Sequence, residues 1–164
     1  MNEKIFFWNV RLFTKYKAAR YILRFVYKLL PLVMLVAYPV LLVHVYFTDL
    51  QSLPKLVLVP MHVFLGVTLL RVIIDEQRPY ERFDTPSVFG KTTKGKSFPS
   101  RHTASAFIIA MAFMYVDFWW GMLAMLIALL IELSRIMAGA LYIHDVLAGM
   151  AISIVAGWIF MFLL

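Results

Sequence analysis

Long apolar stretches alternate with shorter polar ones along most of the chain. Residues 29–47 carry no formal charge, and at 1.5 Å per residue a helix of that length spans about 29 Å, close to the hydrocarbon core of a bilayer at ~30 Å. Further apolar stretches follow at residues 54–74, 103–116, 118–133 and 146–164. This pattern predicts an all-α integral membrane protein, a bundle of about five transmembrane helices.

The first 28 residues have a different pattern, in which basic and aromatic residues alternate without a long uncharged run. They hold seven Lys or Arg residues against one Glu. Such a mixture is typical of an amphipathic helix lying in the membrane interface. In so apolar a chain, the partner expected for these charges is anionic lipid and not nucleic acid. The chain therefore divides into a basic interfacial segment, residues 1–28, and one membrane-embedded domain, residues 29–164.

Composition excludes most other protein classes. Hydrophobic residues make up 63% of the 164 residues and charged residues 15%, with a net charge of +7. Soluble domains are ~45–50% apolar and ~25% charged, so a water-soluble fold could not cover this much apolar surface. The absence of cysteine excludes disulfides, thiolate metal ligands and cysteine nucleophiles.

Two polar segments interrupt the apolar pattern, at residues 75–102 and 134–145. Two predicted spans separate the N-terminal segment from the first, and two more spans return the chain to the second. All three are therefore expected on one side of the bundle, where they would form an active site at a membrane surface. The basic N-terminus favours the cytoplasmic side of the cell membrane.

Arg71, Arg78 and Arg135 lie at predicted helix ends. Charges at membrane depth are costly and mark functional sites by default. Arg71 and Arg78 are about two helical turns apart, so one helix face can hold both. Converging guanidinium groups suit a phosphate, because their planar forks donate paired hydrogen bonds. The alternative for each arginine is snorkelling of its side chain to the interface.

Other polar residues stand at the mouths of predicted spans. Ser100 and His102 open directly onto the span at 103–116, where a helix N-terminus binds anions and an imidazole can transfer protons. Asp145 stands before the last span and is expected to have a partner. His44 and His62 lie in or near spans without polar neighbours in sequence, so we expect them to be packed or hydrogen-bonded.

Three motifs then bring these residues together. The region of roughly residues 55–150 resembles the type 2 phosphatidic acid phosphatase superfamily of membrane-embedded lipid phosphatases. That family carries Lys-x6-Arg-Pro, Pro-Ser-x-His and Ser-Arg-x5-His-x3-Asp in this order. The corresponding residues here are Arg71-x6-Arg78-Pro79, Pro99-Ser100-Arg101-His102 and Ser134-Arg135-x5-Leu141-x3-Asp145.

The resemblance implies a role for each matching residue. His102 would protonate the leaving oxygen, and Asp145 would orient the attacking histidine. The family needs no metal and no cofactor. Its substrates would be lipid phosphates such as phosphatidic acid, phosphatidylglycerol phosphate or a polyprenyl diphosphate. The predicted phosphate-binding residues are Arg71, Arg78, Ser100, Arg101 and Arg135.

One position departs from the family pattern. The attacking histidine is replaced by Leu141, which has no lone pair to offer phosphorus. His144 is a possible substitute, but on an ideal helix it is rotated by about 60° and displaced ~4.5 Å from position 141. Adjacent helical residues such as His144 and Asp145 are also not expected to face each other. If the segment is a loop and not a helix, this objection to His144 weakens.

Two functions therefore stay open. The chain is a lipid phosphate phosphatase, or it is a catalytically impaired family member that binds phospholipid or scaffolds a partner. A small transporter or channel would fit the hydropathy alone but would not explain three ordered phosphate-binding motifs. The sequence predicts no particular oligomeric state.

Overall fold

The computed structural model describes residues 3–164, and within that range the chain is helical with no β-strand. Met1 and Asn2, the first residues of the predicted interfacial segment, lie outside the described residues. The elements in chain order are α1 (Glu3–Lys15), α2 (Lys17–Thr48), α3 (Leu53–Ile74), α4 (Pro79–Arg82), α5 (Arg101–Val116), α6 (Phe118–Met137) and α7 (Ile143–Gly157), which continues as a π-helical turn (Trp158–Leu163).

The predicted membrane spans are confirmed as apolar helices. Four helical stretches are long and apolar enough to cross a bilayer: Lys17–Thr48, Leu53–Arg82, Phe118–Met137 and Ile143–Leu163. The fifth, α5, is shorter at 16 residues. Large apolar side chains of α2, α3 and α6 remain exposed on the outside of the bundle, as expected for helices that face lipid.

Helix α5 lies at the centre of the bundle and contacts α2, α3, α6 and α7. Small residues allow this close packing, as is common between membrane helices. A Cβ atom added at Gly121 would clash with the backbone of Met114, and one at Gly149 would lie 2.7 Å from the carbonyl oxygen of Ser100. The buried alanines of α5 are Ala104, Ala106, Ala110 and Ala112.

The N-terminal segment holds two helical pieces. The helix breaks at Tyr16, and α2 begins at Lys17, so residues 17–28 are continuous with the apolar helix that ends at Thr48. Helix α1 is amphipathic, with Phe6, Asn9 and Phe13 on its buried face. That face packs on protein, whereas a helix lying only on lipid headgroups would leave it free.

Helix α1 sits at the same end of the bundle as the polar segments. The rings of Phe6 and Phe83 are 5.1 Å apart. Phe6 also fills the space beside Gly139, whose φ of +69° favours glycine and where an added Cβ would lie 2.7 Å from the Phe6 ring. Together these contacts place α1 over the loop after α4 and over the turn between α6 and α7.

The long polar segment is ordered by hydrogen bonds to the helices around it. The amide of Val88 donates to the carbonyl of Ala138 at 3.1 Å, and the amide of Ser97 donates to the carbonyl of Glu76 at 2.9 Å. Arg20 donates to the carbonyl of Val88 at 3.0 Å. The predicted juxtaposition of the two polar segments is therefore present in the fold.

Candidate active site

The second and third motifs meet where α5 and α7 begin. The amide of Ser100 donates to the backbone carbonyl of Asp145 at 3.0 Å. The hydroxyl of Ser97 donates to Oδ2 of Asp145 at 2.5 Å. Ser100 is fully buried, and its side chain caps α5 by accepting from the amide of Thr103. The two helix N-termini are thus fixed to each other.

Arg71 and Arg78 are held by one short piece of the polar loop. The Arg71 guanidinium donates to the carbonyl of Lys96, and Nε of Arg78 donates to the carbonyl of Gly95 at 3.1 Å. Arg78 is buried, with only 8% of its surface exposed. Helix α3 ends at Ile74, so the two arginines do not share one helix face as their spacing suggested. Their bonds to two consecutive carbonyls of the loop bring the guanidinium groups together.

Arg135 is buried in an incomplete hydrogen-bond network. Only 5% of its surface is exposed, its guanidinium lies 5.0 Å from the centre of the Tyr27 ring, and its Nε has no hydrogen-bond partner among the described residues. The nearest carboxylate oxygen, Oε1 of Glu132, is 4.0 Å away. Glu132 is thus close enough for an ion pair with Arg135 but not for a hydrogen bond. A buried N–H without a hydrogen bond is costly, and an anionic ligand would supply one.

Glu132 is a residue whose role the sequence did not reveal. It is fully buried, and its Oε2 accepts a hydrogen bond from the hydroxyl of Thr103 at 2.7 Å. This bond ties α6 to α5 directly behind Arg135. The sequence does contain one signal for this role. Glu132 is a charged residue in an otherwise apolar span, three residues before Arg135, and such charges mark functional sites.

We expect Glu132→Gln to lower the midpoint of thermal unfolding in detergent by several degrees, because it leaves the buried charge of Arg135 without its carboxylate. Bound vanadate should restore more of the midpoint in this variant than in the parent, because the anion supplies the missing negative charge. An unchanged midpoint without vanadate would contradict this electrostatic role. Glu3→Gln, at an exposed position in α1, is the control.

His102 and Arg135 line a groove of about 440 Å³ between α2, α5 and α6. The rest of its lining is almost entirely apolar and includes Leu32 and Leu35 on the outer surface of α2. His102 is exposed to this groove. The positive charges of Arg71, Arg101 and Arg135 are close enough to act on the His102 imidazole. The groove therefore joins a cationic head to a lipid-facing, apolar opening.

Arg101 is oriented differently from the other predicted phosphate-binding residues. Its guanidinium lies over the ring of Phe64, 5.3 Å from the ring centre. Its charge still reaches Arg71 and His102. Arg101 thus borders the cationic region, with a face of its guanidinium on an aromatic ring.

Leu141 occupies the position of the family's attacking histidine. It is buried, at 3% exposure, in the turn before Tyr142, the residue that precedes the first turn of α7. The amide of Tyr142 donates to Oδ2 of Asp145 at 2.9 Å. Position 141 is therefore attached directly to the backbone that holds the Asp145 carboxylate, but its side chain is hydrocarbon.

The helical offset between positions 141 and 144 does not apply, because position 141 lies in a turn and not on α7. The expectation that adjacent residues do not face each other is also wrong here. Nε2 of His144 lies 3.2 Å from Oδ1 of Asp145. The reason is that α7 begins at Ile143, so both side chains belong to its first turn and His144 can fold back over the helix end.

His44 and His62 take no part in this site. His44 lines a groove with Asp117 and Trp120, near the ends of α5 and α2 that lie away from the motifs. Nδ1 of His62 lies 2.6 Å from the carbonyl of Leu58, within α3. The hydrogen bond expected for His62 is present.

Comparison with known proteins decides the family. The sequence model of the PAP2 superfamily matches residues 55–164, two thirds of the chain and all three motifs. The chain belongs to the PAP2 superfamily.

A solved PAP2 structure has the same fold. The crystal structure of Aquifex aeolicus LpxE, a lipid phosphatase of this family, superimposes with a TM-score of 0.63 at 25% sequence identity. The match covers 84% of this chain and 91% of the LpxE chain. No curated protein matches the chain significantly. Family and fold together make this a membrane protein of the lipid phosphatase class.

Lys91 is a second residue of this PAP2 site that the motifs did not reveal. Its ammonium lies over the ring of Tyr27, 5.4 Å from the ring centre, and Arg135 lies over the same ring. Burial, together with the charges of Arg135, Arg78 and Arg71, lowers the pKa of Lys91 from 10.5 to about 8. Lys91 therefore adds a positive charge to the site that is lost as the pH rises through about 8.

We expect the affinity for sulfate to fall severalfold between pH 7 and pH 9, because sulfate keeps its charge over this range while Lys91 becomes neutral. Lys91→Arg should show no such fall, since a guanidinium stays protonated. Titration calorimetry at constant ionic strength measures both. Equal slopes in the two proteins would show that Lys91 does not contribute to the anion site.

Proposed function

We propose that this PAP2 protein binds the phosphate of a membrane lipid between Arg71, Arg78, Ser100 and Arg135, and that it hydrolyses the phosphate slowly because position 141 is leucine. The observation that carries this proposal is the buried, unpartnered Nε of Arg135. A phosphate oxygen is the acceptor that such a group lacks. Charge-assisted hydrogen bonds of this kind are about twice as strong as neutral ones.

The apolar groove supports a lipid and not a soluble phosphate as ligand. Its cationic end holds His102 and Arg135, and its apolar walls open beside the exposed surface of α2. A lipid phosphate would leave its acyl or prenyl chain among these apolar residues while its headgroup contacts the arginines. Phosphatidic acid, phosphatidylglycerol phosphate and polyprenyl diphosphates all meet this description.

The residues around the phosphate divide the chemistry among them. The arginines would bind the equatorial oxygens and stabilise the charge that develops during transfer. His102, exposed in the groove, would donate a proton to the leaving oxygen. Asp145 would orient an imidazole, but in this chain Leu141 cannot provide one. Water would then attack phosphorus directly while His102 protonates the leaving oxygen, and this unassisted attack would limit turnover.

The test compares phosphate release and binding for matched ligands. Phosphatidic acid, phosphatidylglycerol phosphate and a polyprenyl diphosphate in mixed micelles are set against glycerol 3-phosphate, which has the headgroup but no chains. We expect each lipid to bind at least about tenfold more tightly, because chain burial adds apolar contact. Equal affinity for glycerol 3-phosphate would contradict the role of the groove.

A second candidate function is phospholipid binding without any hydrolysis. The burial of a leucine at the position of the attacking histidine favours it. Stoichiometric lipid binding with no phosphate released above the uncatalysed rate, in the parent and after His144→Ala, would establish this function. Phosphate release by the parent that disappears in His144→Ala would instead make His144 the substitute nucleophile.

We propose that the site lies at the cytoplasmic face of the cell membrane, with the basic surface of α1 against anionic headgroups. Exposed Lys4, Arg11 and Lys15 on α1 support this arrangement, since cytoplasmic segments are enriched in basic residues. In sealed inside-out vesicles, added trypsin should cleave within α1. Protection there, with cleavage in right-side-out vesicles, would reverse the orientation.

A further inference from the structure

Tyr27 lies at the phosphate site, although no sequence motif contains it. It belongs to α2, outside residues 55–164 that match the PAP2 model. The positive charges of Arg78 and Arg135 are both close enough to act on the Tyr27 hydroxyl. These two arginines come from the first and the third motif, so the fold brings the hydroxyl to the place where the two motifs meet.

The hydroxyl of Tyr27 is buried without a partner. Its oxygen makes no hydrogen bond among residues 3–164, and the same holds for Nε of Arg135. Oε1 of Glu132, a buried acceptor in the same region, is unpaired as well, so neither donor is bonded to it. Buried polar groups without partners are costly. Two such donors close together therefore indicate that an acceptor from outside the chain binds there.

The Tyr27 ring is held by the side chains around it. The guanidinium of Arg135 lies 5.0 Å from the ring centre, and the ammonium of Lys91 lies 5.4 Å from it. Both distances are within the ~6 Å over which a cation is attracted to an aromatic face. The ring of Phe89 packs on the same ring, with centres 5.0 Å apart. These contacts limit the movement of the ring, so its hydroxyl is already in place before a ligand binds.

Tyr27 is also aligned with the lipid groove. Pro31, one helical turn after Tyr27 on α2, lines the groove that holds His102 and Arg135. Residues four apart lie on the same face of a helix, so Tyr27 and Pro31 face the same side of α2. Because Tyr27 contacts Arg135, it adjoins the polar end of the groove and not its apolar walls.

We propose that Tyr27 is a further phosphate-binding residue, whose hydroxyl donates a hydrogen bond to a phosphate oxygen that Arg135 also binds. The proposal rests on the proposed phosphate site and adds to it a residue from α2. A neutral hydroxyl supplies a donor where another cation would repel Arg78 and Arg135. Because the contact is with the phosphate group, it serves a free phosphate and a lipid phosphate equally.

The experiment compares Tyr27→Phe with Tyr38→Phe in the full protein in detergent, with vanadate as the probe. Each change removes one hydroxyl from α2. The Tyr38 hydroxyl donates to the carbonyl of Leu56 at 2.7 Å, which lacks its helical donor because residue 60 is proline. We therefore expect Tyr38→Phe to lower the midpoint of thermal unfolding and to keep its vanadate affinity. Tyr27→Phe should weaken vanadate binding about tenfold without lowering the midpoint, because its hydroxyl loses no partner in the protein.

A second pair of ligands locates the contact. Phosphatidic acid in mixed micelles and glycerol 3-phosphate carry a phosphate monoester with and without acyl chains. Tyr27→Phe should weaken the binding of both by the same factor. A loss confined to phosphatidic acid would overturn the proposal, since the hydroxyl would then act on the acyl chains and not on the phosphate.

Two further results would overturn this inference and leave the proposed function standing. One is unchanged vanadate affinity in Tyr27→Phe when Arg135→Ala has lost affinity. The other is a fall in the thermal midpoint of Tyr27→Phe as large as that of Tyr38→Phe, which would show that the hydroxyl has a partner within the protein, such as Oε1 of Glu132. A parent that binds no vanadate would instead contradict the proposed function, and the role of Tyr27 with it.

Discussion

Leu141→His is expected to raise phosphate release from lipid phosphates by at least about 100-fold, against a ceiling of about 10⁶ set by the cost of losing a nucleophile in another hydrolase. The substitution supplies the imidazole that the PAP2 motif requires beside Asp145. Oδ1 of Asp145 makes no hydrogen bond among the described residues, so it can accept an N–H from an imidazole at position 141 in place of its 3.2 Å contact with Nε2 of His144. That bond would fix the ring and expose its other nitrogen to phosphorus.

Leu141→Gln is the matched control, since it introduces a polar side chain of similar size without a nucleophilic nitrogen. It should leave phosphate release at the level of the parent. The histidine variant should also form an acid-labile phosphoenzyme from labelled substrate. No gain in phosphate release, from a variant that still binds vanadate, would show that more than the nucleophile has been lost at this site.

Arg135→Ala is expected to weaken binding of vanadate and of lipid phosphate by roughly 10- to 100-fold. Hydrogen bonds to charged groups contribute about 1.5–3 kcal/mol, and each 1.4 kcal/mol is about a tenfold change in affinity. Arg135 is buried at 5% exposure, so water cannot replace its contacts fully. Titration of the detergent-solubilised protein with vanadate measures the change.

Arg135→Lys separates charge from shape. A lysine keeps the positive charge but lacks the planar fork, so we expect it to recover only part of the affinity. Arg24→Ala, on a basic residue early in α2 that no motif includes, should bind vanadate as the parent does. Unchanged affinity in Arg135→Ala would remove Arg135 from the phosphate site and, with it, the main support for the proposed function.

Hydropathy was sufficient to predict the helical bundle, because nineteen uncharged residues in a row have few alternatives to a membrane helix. Hydropathy did not predict the helix break between α1 and α2. Basic residues continue through Lys28, so composition changes there, whereas the backbone breaks at Tyr16. A single residue outside the helix leaves no compositional signal, and the position of the break depends on how α1 packs.

The sequence motifs identified most residues of the candidate site, because each motif lies at the end of a predicted helix. They missed Lys91 and Glu132, which reach the site through tertiary packing. Lys91 lies in a loop whose path is set by contacts such as that between Val88 and Ala138. The geometry at Leu141 was also out of reach, because only the structure shows where α7 begins.

The contact between Phe6 and Gly139 constrains the order in which the protein is assembled. Its two residues are separated by most of the chain, so the ribosome completes α1 long before the turn that receives Phe6 exists. Until that turn is synthesised, α1 cannot make this contact. Because α1 is amphipathic, it can bind to the membrane surface in the meantime. It can move to its final position only after α6 has entered the bilayer. Helix α1 is thus synthesised before α6 but reaches its final position after it.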